Sequence, residues 1–135
     1  MVSSVLMSIR PVYAEAILSG AKTVELRRRR PSFGEGTTVL IYATSPDKRV
    51  RGAFEVDGII EGAPAALWET VANRAGIERA VFDAYFAGAD TAFAIEIVNA
   101  RRVRPSPIPM RPPQSYQFLD RKRQPHRSVL RLAVA

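Results

Sequence analysis

The sequence predicts an α+β domain: a small, mostly antiparallel β-barrel of about six strands with three or four short helices. Three observations predict it. The 135 residues suit one domain and one set of cores. Strand-like stretches outnumber helical ones. The helical signals fall at two places only, after the first strand and in the middle of the chain, in the order β-α-β-β-β-α-α-β-β.

Residues 4–9, SVLMSI, read as the first strand. RPVYAEAILSG then reads as a short helix, with Pro11 in the first turn and Gly20 as a left-handed stop. Val12, Tyr13, Ala16 and Ile17 share one face at helical spacing. KTVELR alternates like a strand, TTVLIYAT is rich in β-branched and aromatic residues, and VRGAFEVDGII is a further strand in which Gly52 marks a bulge or a close approach. Pro64 opens the helix APAALWETVANRAG, with Leu67, Trp68 and Val71 on one face. IERAVFDAYFAG reads as a second short helix with Ile77, Val81, Tyr85 and Phe86 facing inward. TAFAIEIVNARRV is a long strand. The prolines of RPSPIPMRPP should end its ladder and send the chain over the surface. QSYQFLD suggests a helical turn, and RSVLRLAVA a closing strand. No repeat or internal boundary divides the chain, so residues 1–135 read as a single domain.

The composition narrows the chemistry. There are no cysteines, which excludes disulfides and thiolate metal sites and suits the cytoplasm. His126 is the single histidine and is read as structural or surface. No metal and no cofactor is expected. No apolar run approaches the roughly 18 residues of a membrane span, and the N-terminus does not read as a signal peptide. The formal charge is +7, and all but Lys22, Lys48 and Lys122 of the 20 cations are arginine. That balance points to a polyanion such as nucleic acid, with an Arg-rich coding bias as the plain alternative.

The stretch GAKTVELRRRR, residues 20–30, concentrates the charge. If residues 22–28 form a strand, Thr23, Glu25 and Arg27 share one face, and Lys22, Val24, Leu26 and Arg28 the other. Val24 and Leu26 should then pack on the core, with Lys22 at the strand entrance able to swing to either side. The bland reading is a set of exposed ion pairs worth at most about 1 kcal/mol. Arg28, Arg29 and Arg30 read first as a solvated turn and second as phosphate contacts.

Gly20, Lys22, Glu25 and Arg27 also match G-x-K-x-x-E-x-R, and this chain resembles the ASCH domain family of the PUA-like fold. LMSIRPVYAEAILSGAKTVELRRRRP resembles the family in order and spacing, and VLIYATSPDKRVRGAFEV and PPQSYQFL resemble a bacterial and archaeal subset described as transcriptional regulators. The resemblance covers nearly the whole chain. It implies a cleft between barrel and helices, lined by Lys22, Glu25 and Arg27, that takes RNA or a nucleotide. A carboxylate can accept from a base amine, and Lys and Arg can hold phosphate. Tyr42, Trp68 and Tyr116 are candidates for base stacking, with core packing as the alternative. Arg28, Arg102 and Arg104 are candidate phosphate contacts, and alternation places Arg101 on the opposite face from Arg102 and Arg104. Arg121, Lys122 and Arg123 form another basic cluster.

The expected function is RNA or nucleotide binding, with a regulatory role. The alternative is hydrolysis of RNA or of an acylated cytidine, in which Lys22 and Glu25 would be catalytic. One branch of the family pairs a lysine with a threonine nucleophile. Here Glu25 stands at that threonine's position, and Thr23 should point away. A protein-interaction module is a third reading and a helix-turn-helix reader a remote fourth.

Overall fold

The computed structural model describes residues 3–119. The expected closing strand RSVLRLAVA, the Arg121–Arg123 cluster and His126 lie outside the described residues. Six strands form one mixed, curled sheet, a half-barrel flanked by three helices. The elements are β1 (Ser4–Ile9), α1 (Pro11–Ser19), β2 (Val24–Arg27), β3 (Thr38–Ala43), β4 (Arg49–Gly62), α2 (Pro64–Val71), α3 (Arg79–Tyr85), β5 (Ala92–Ser106) and β6 (Tyr116–Phe118). The strand order is β2-β5-β4-β3-β1-β6. Only β1 against β3 is parallel, and that pairing needs a crossover, which α1 and β2 supply.

The local chemistry explains the elements. Pro11 starts α1, where its missing N–H costs nothing. Gly20 closes it at φ 88°, giving its N–H to the Ile17 carbonyl at 3.1 Å. The long β4 carries three register shifts against β5, and bulges of this kind bend a strand and tighten its twist. Gly52 sits at one of them. A Cβ there would lie 2.4 Å from Leu18 Cδ2 and 2.5 Å from the Arg101 carbonyl oxygen, so only glycine lets α1 settle onto the bend.

The apolar residues form three clusters. The first lies on one side of the sheet, where β1, β3, β4 and β5 meet Ala14 and Ile17 of α1. The second joins Val24 and Leu26 of β2, as the alternation requires, to Leu67, Val71, Phe82 and Phe86 of the central helices. The third gathers Leu6, Leu40, Tyr42 and Val50 on the other face, covered by Val103, Ile108 and Met110.

Three expectations are corrected. Proline does not stop β5 at residue 104: the strand continues through Pro105 to Ser106, which pairs with Val50. QSYQF is not a helical turn. Tyr116–Phe118 pair with β1, and Tyr116 stacks edge-on against Phe33 with centroids 5.0 Å apart. In α3, Phe82 and Phe86 take the core. Val81 and Tyr85, 45% and 40% exposed, point out of it, because two apolar pairs spaced i, i+4 compete for one buried face.

Candidate functional site

Residues of β1, β2 and the helix α3 enclose a cleft of about 590 Å³. Lys22, Glu25 and Arg27 are among its lining residues, together with Tyr13 of α1 and with Val81, Ala84 and Tyr85 of α3. Arg10, Thr44 and Gln114 also border it. The cleft thus sets four charged side chains against an apolar wall, the usual make-up of a small-ligand pocket.

β2 begins at Val24, two residues later than alternation suggests. Glu25 and Arg27 share a strand face by the period of two, whereas Lys22 and Thr23 lie before the strand. The Thr23 N–H bonds to the Arg74 carbonyl at 2.9 Å and the Lys22 N–H to that of Ala16 at 3.0 Å. Freed from the ladder, Lys22 lines the cleft with Glu25 and Arg27 rather than facing away from them.

Lys22 is 2% exposed. Its Nζ donates to the Ala75 carbonyl at 2.6 Å and lies 5.1 Å from the Tyr13 ring centroid. Burial pushes its pKa below the ordinary lysine value. The Glu25 carboxylate pulls it back up, and the Arg27 cation pushes it down again. Arg27 donates from Nη2 to Glu25 Oε2 at 2.9 Å and to the Ser8 carbonyl at 3.2 Å, and from Nη1 to Ser115 Oγ at 3.1 Å. Its buried Nε has no partner among the described residues. Across the cleft, burial raises the Tyr85 phenol above its ordinary pKa, and nearby Arg27 opposes the shift.

The other candidates lie elsewhere. Tyr42, 4% exposed, packs with Leu6 and Leu40 on the opposite side of the sheet. Trp68 stacks on Phe82 at 4.9 Å, and the Tyr116 hydroxyl accepts from the Ser32 N–H at 2.9 Å. Arg28 donates to the carbonyls of Tyr85 and Ala87 at 2.7 and 3.1 Å, tying down the end of α3. Arg30 pairs with Glu61 and lies over the Phe93 ring, and Arg28, Arg29 and Arg30 are all exposed. Arg102 makes a two-pronged pair with Glu15 at 2.7 and 2.9 Å in a second hollow, beside Asp47 and Arg51. Arg101 pairs with Glu55 on the other face, and Arg104 is exposed.

Sequence reasoning missed Arg10, Tyr13 and Tyr85 as cleft residues. Tyr13 and Tyr85 read as core because their spacing is helical. Arg10 offered a signal in its place directly before the helix start. No group of three or more His, Asp or Glu side chains that could hold a metal occurs among the described residues, and no helix there is long and apolar enough to cross a membrane.

Known proteins resemble this chain. The ASCH domain model matches residues 7–107. An ASCH domain-containing ribonuclease from Zymomonas mobilis is 33% identical over 124 residues, covering 86% of this chain and 84% of that protein. The crystal structure of ASCH from Zymomonas mobilis superposes with a TM-score of 0.87 at 30% identity, over 96% of this chain and 94% of that one. The ribosomal protein uL22 of Ureaplasma parvum is 26% identical over 75% of this chain, which spans only 32% of that protein. The family model spans most of the chain, the sequence and superposition agree with it, and the chain belongs to the ASCH domain family.

Proposed function

We propose that this ASCH protein binds RNA in the cleft of Lys22, Glu25 and Arg27. The observation that carries the reading is a lysine, a carboxylate and an arginine drawn together, nearly dry, at one end of an apolar-walled cleft. The arrangement is costly to the fold. Lys22 is buried against its charged form, and an unpartnered buried donor such as Arg27 Nε costs about 1–3 kcal/mol. Groups kept at such a cost are candidates for function. The cleft volume suits one nucleotide rather than a duplex. The base would lie along Tyr85 and Val81 with an amine toward Glu25, and its phosphate would meet Lys22, Arg27 and Arg10.

Fluorescence anisotropy with a labelled single-stranded RNA at several salt concentrations tests this. The double variant Lys22→Ala, Arg27→Ala should bind more weakly, and its salt dependence should fall by about 0.7 per cation removed. Unchanged affinity and slope in the folded double variant would overturn the reading.

The Zymomonas ribonuclease favours a second step, cleavage. In that step the 2′-oxygen attacks phosphorus and the bond to the 5′-oxygen breaks. The 2′ proton passes to Glu25, the Lys22 ammonium protonates the leaving oxygen, and Arg27 steadies the charge. A cyclic 2′,3′-phosphate end, lost in Lys22→Ala and in Glu25→Gln, is the expected product. Deacylation of cytidine is less favoured: Thr23 Oγ1 accepts from Arg74 Nε at 3.2 Å and is absent from the cleft lining. We assign residues 1–135 to one ASCH module acting on RNA in the cytoplasm, in a regulatory role. Cell fractionation tests the location.

A further inference from the structure

The segment joining α2 to α3 is a strap over the start of β2. The Arg74 carbonyl accepts from the Thr23 N–H at 2.9 Å. The Arg74 side chain returns to the same residue, donating from Nε to Thr23 Oγ1 at 3.2 Å and from Nη2 to the Thr23 carbonyl at 3.4 Å. Its Nη1 pairs with Glu96 Oε2 of β5 at 2.9 Å. Ala75 follows, fully buried, and its carbonyl accepts from Lys22 Nζ. Gly76 then takes φ 66°, where a Cβ would stand 2.8 Å from Lys22 Cβ. Three consecutive residues each grip Lys22 or Thr23 in a different way. A lysine side chain is otherwise free to extend into water, and fixing one costs up to about 2 kcal/mol of rotamer entropy.

We propose that Arg74 is a positioning residue: anchored to Thr23 and Glu96, it holds the Ala75 carbonyl on Lys22 Nζ and so keeps that amine dry and aimed into the cleft beside Glu25. Arg74 does not line the cleft and acts through Ala75. The charged and titratable groups around Lys22 are Arg10 before α1, Tyr13 from α1, Glu25 and Arg27 from β2 and Tyr85 from α3, with Arg74 in the strap neutralised by Glu96 of β5. Replacing Arg74 leaves the first five in place and loosens only the strap. Water then reaches the amine, and its titration moves up toward that of an ordinary lysine. The consequence for RNA rests on the cleft reading above, but the titration does not.

The chain has three lysines, so ¹³Cε-lysine labelling gives three NMR signals, with Lys22 assigned by its loss in Lys22→Arg. In the free wild-type protein Lys22 should titrate below the ordinary lysine value. Arg74→Ala should move it up toward that value. Arg74→Lys keeps a charge opposite Glu96 but loses the fork onto Thr23, so its midpoint should fall between. An unmoved Lys22 midpoint in folded Arg74→Ala overturns the assignment. If that variant does not fold, an unmoved midpoint in Arg74→Lys does so. RNA affinity measured against pH in the same proteins should lose its alkaline limb at correspondingly higher pH. A moved midpoint without any change in RNA binding would uphold the strap and overturn the RNA reading of the cleft.

Discussion

Gly76→Ala measures how tightly the strap is fitted to Lys22, and Gly88→Ala supplies its control. Both glycines have left-handed backbone, φ 66° and 80°. A side chain in that region costs about 1–2 kcal/mol. At Gly88 nothing lies within 4 Å of a new Cβ, so this strain is the whole expected loss. At Gly76 the new Cβ meets Lys22 Cβ at 2.8 Å, Cγ at 3.1 Å and Cα at 3.3 Å. These atoms sit at the root of the side chain and cannot swing aside, so a backbone shift is required, at about 1–3 kcal/mol for such overpacking. Gly76→Ala should therefore lose about 2–5 kcal/mol. At about 3–4 °C per kcal/mol for a chain of this length, its Tm should fall about 3–12 °C further than that of Gly88→Ala. Urea unfolding followed by the single tryptophan, Trp68, which packs on Phe82, reads both variants. Equal losses in the two would refute the close fit of strap and lysine.

Other expectations follow from the same geometry. The pKa of Lys22 is lowered in the fold, so the unfolded chain binds the proton more tightly. The cost of burying the amine is full below the folded pKa and disappears as pH rises toward 10.5. The stability of Lys22→Met relative to wild type should therefore decline between pH 7 and pH 10 in urea unfolding; a constant difference would contradict the burial argument. Asp47 accepts from Arg51 and Arg49, which hold its pKa at about 2 against an ordinary 3.8. Its contribution is complete above 3.8 and lost as pH falls through about 2, and its carboxyl ¹³C titration should move up in Arg51→Ala. Phe82→Ala should cost about 3–5 kcal/mol and Val81→Ala under about 0.5 kcal/mol, by thermal unfolding, because only Phe82 is in the core.

The strands β1, β3, β4 and β5 and the helix α1 were legible because their signals are local. They consist of alternation or β-branched runs, with proline and glycine where a helix must start and stop. What was illegible depends on distant partners. Tyr116–Phe118 is three residues of strand, too short for any periodicity, and is held by β1 and by Phe33. β5 extends through Pro105 because Val50 of β4 lies opposite Ser106, and one missing N–H is tolerable beside a register shift. The faces of α3 could not be ranked from spacing alone, since Phe82 with Phe86 and Val81 with Tyr85 have the same separation. The choice falls to the cluster around Leu67 and Val71, which accepts the larger pair.

The signature shows the same division within a few residues. Glu25 and Arg27 are two apart in a strand, and their shared face follows from the pleat alone. Lys22 is three residues before Glu25, an odd offset that a continuous strand would place on the opposite face. It reaches the cleft only because the ladder starts at Val24, and one reason for that start is that the Thr23 N–H bonds to Arg74, 51 residues away. The K-x-x-E spacing is therefore the record of a strand entrance held by a distant loop, not of a β-surface. That distinction sets this stretch apart from a row of exposed ion pairs. Pairs on a β-surface would be hydrated and nearly dispensable. This lysine is buried, bonded to a carbonyl and packed against a glycine that cannot carry a side chain without moving it. Fixing an amine there works against the fold's own stability, and such an arrangement makes physical sense where a ligand's negative charge repays it.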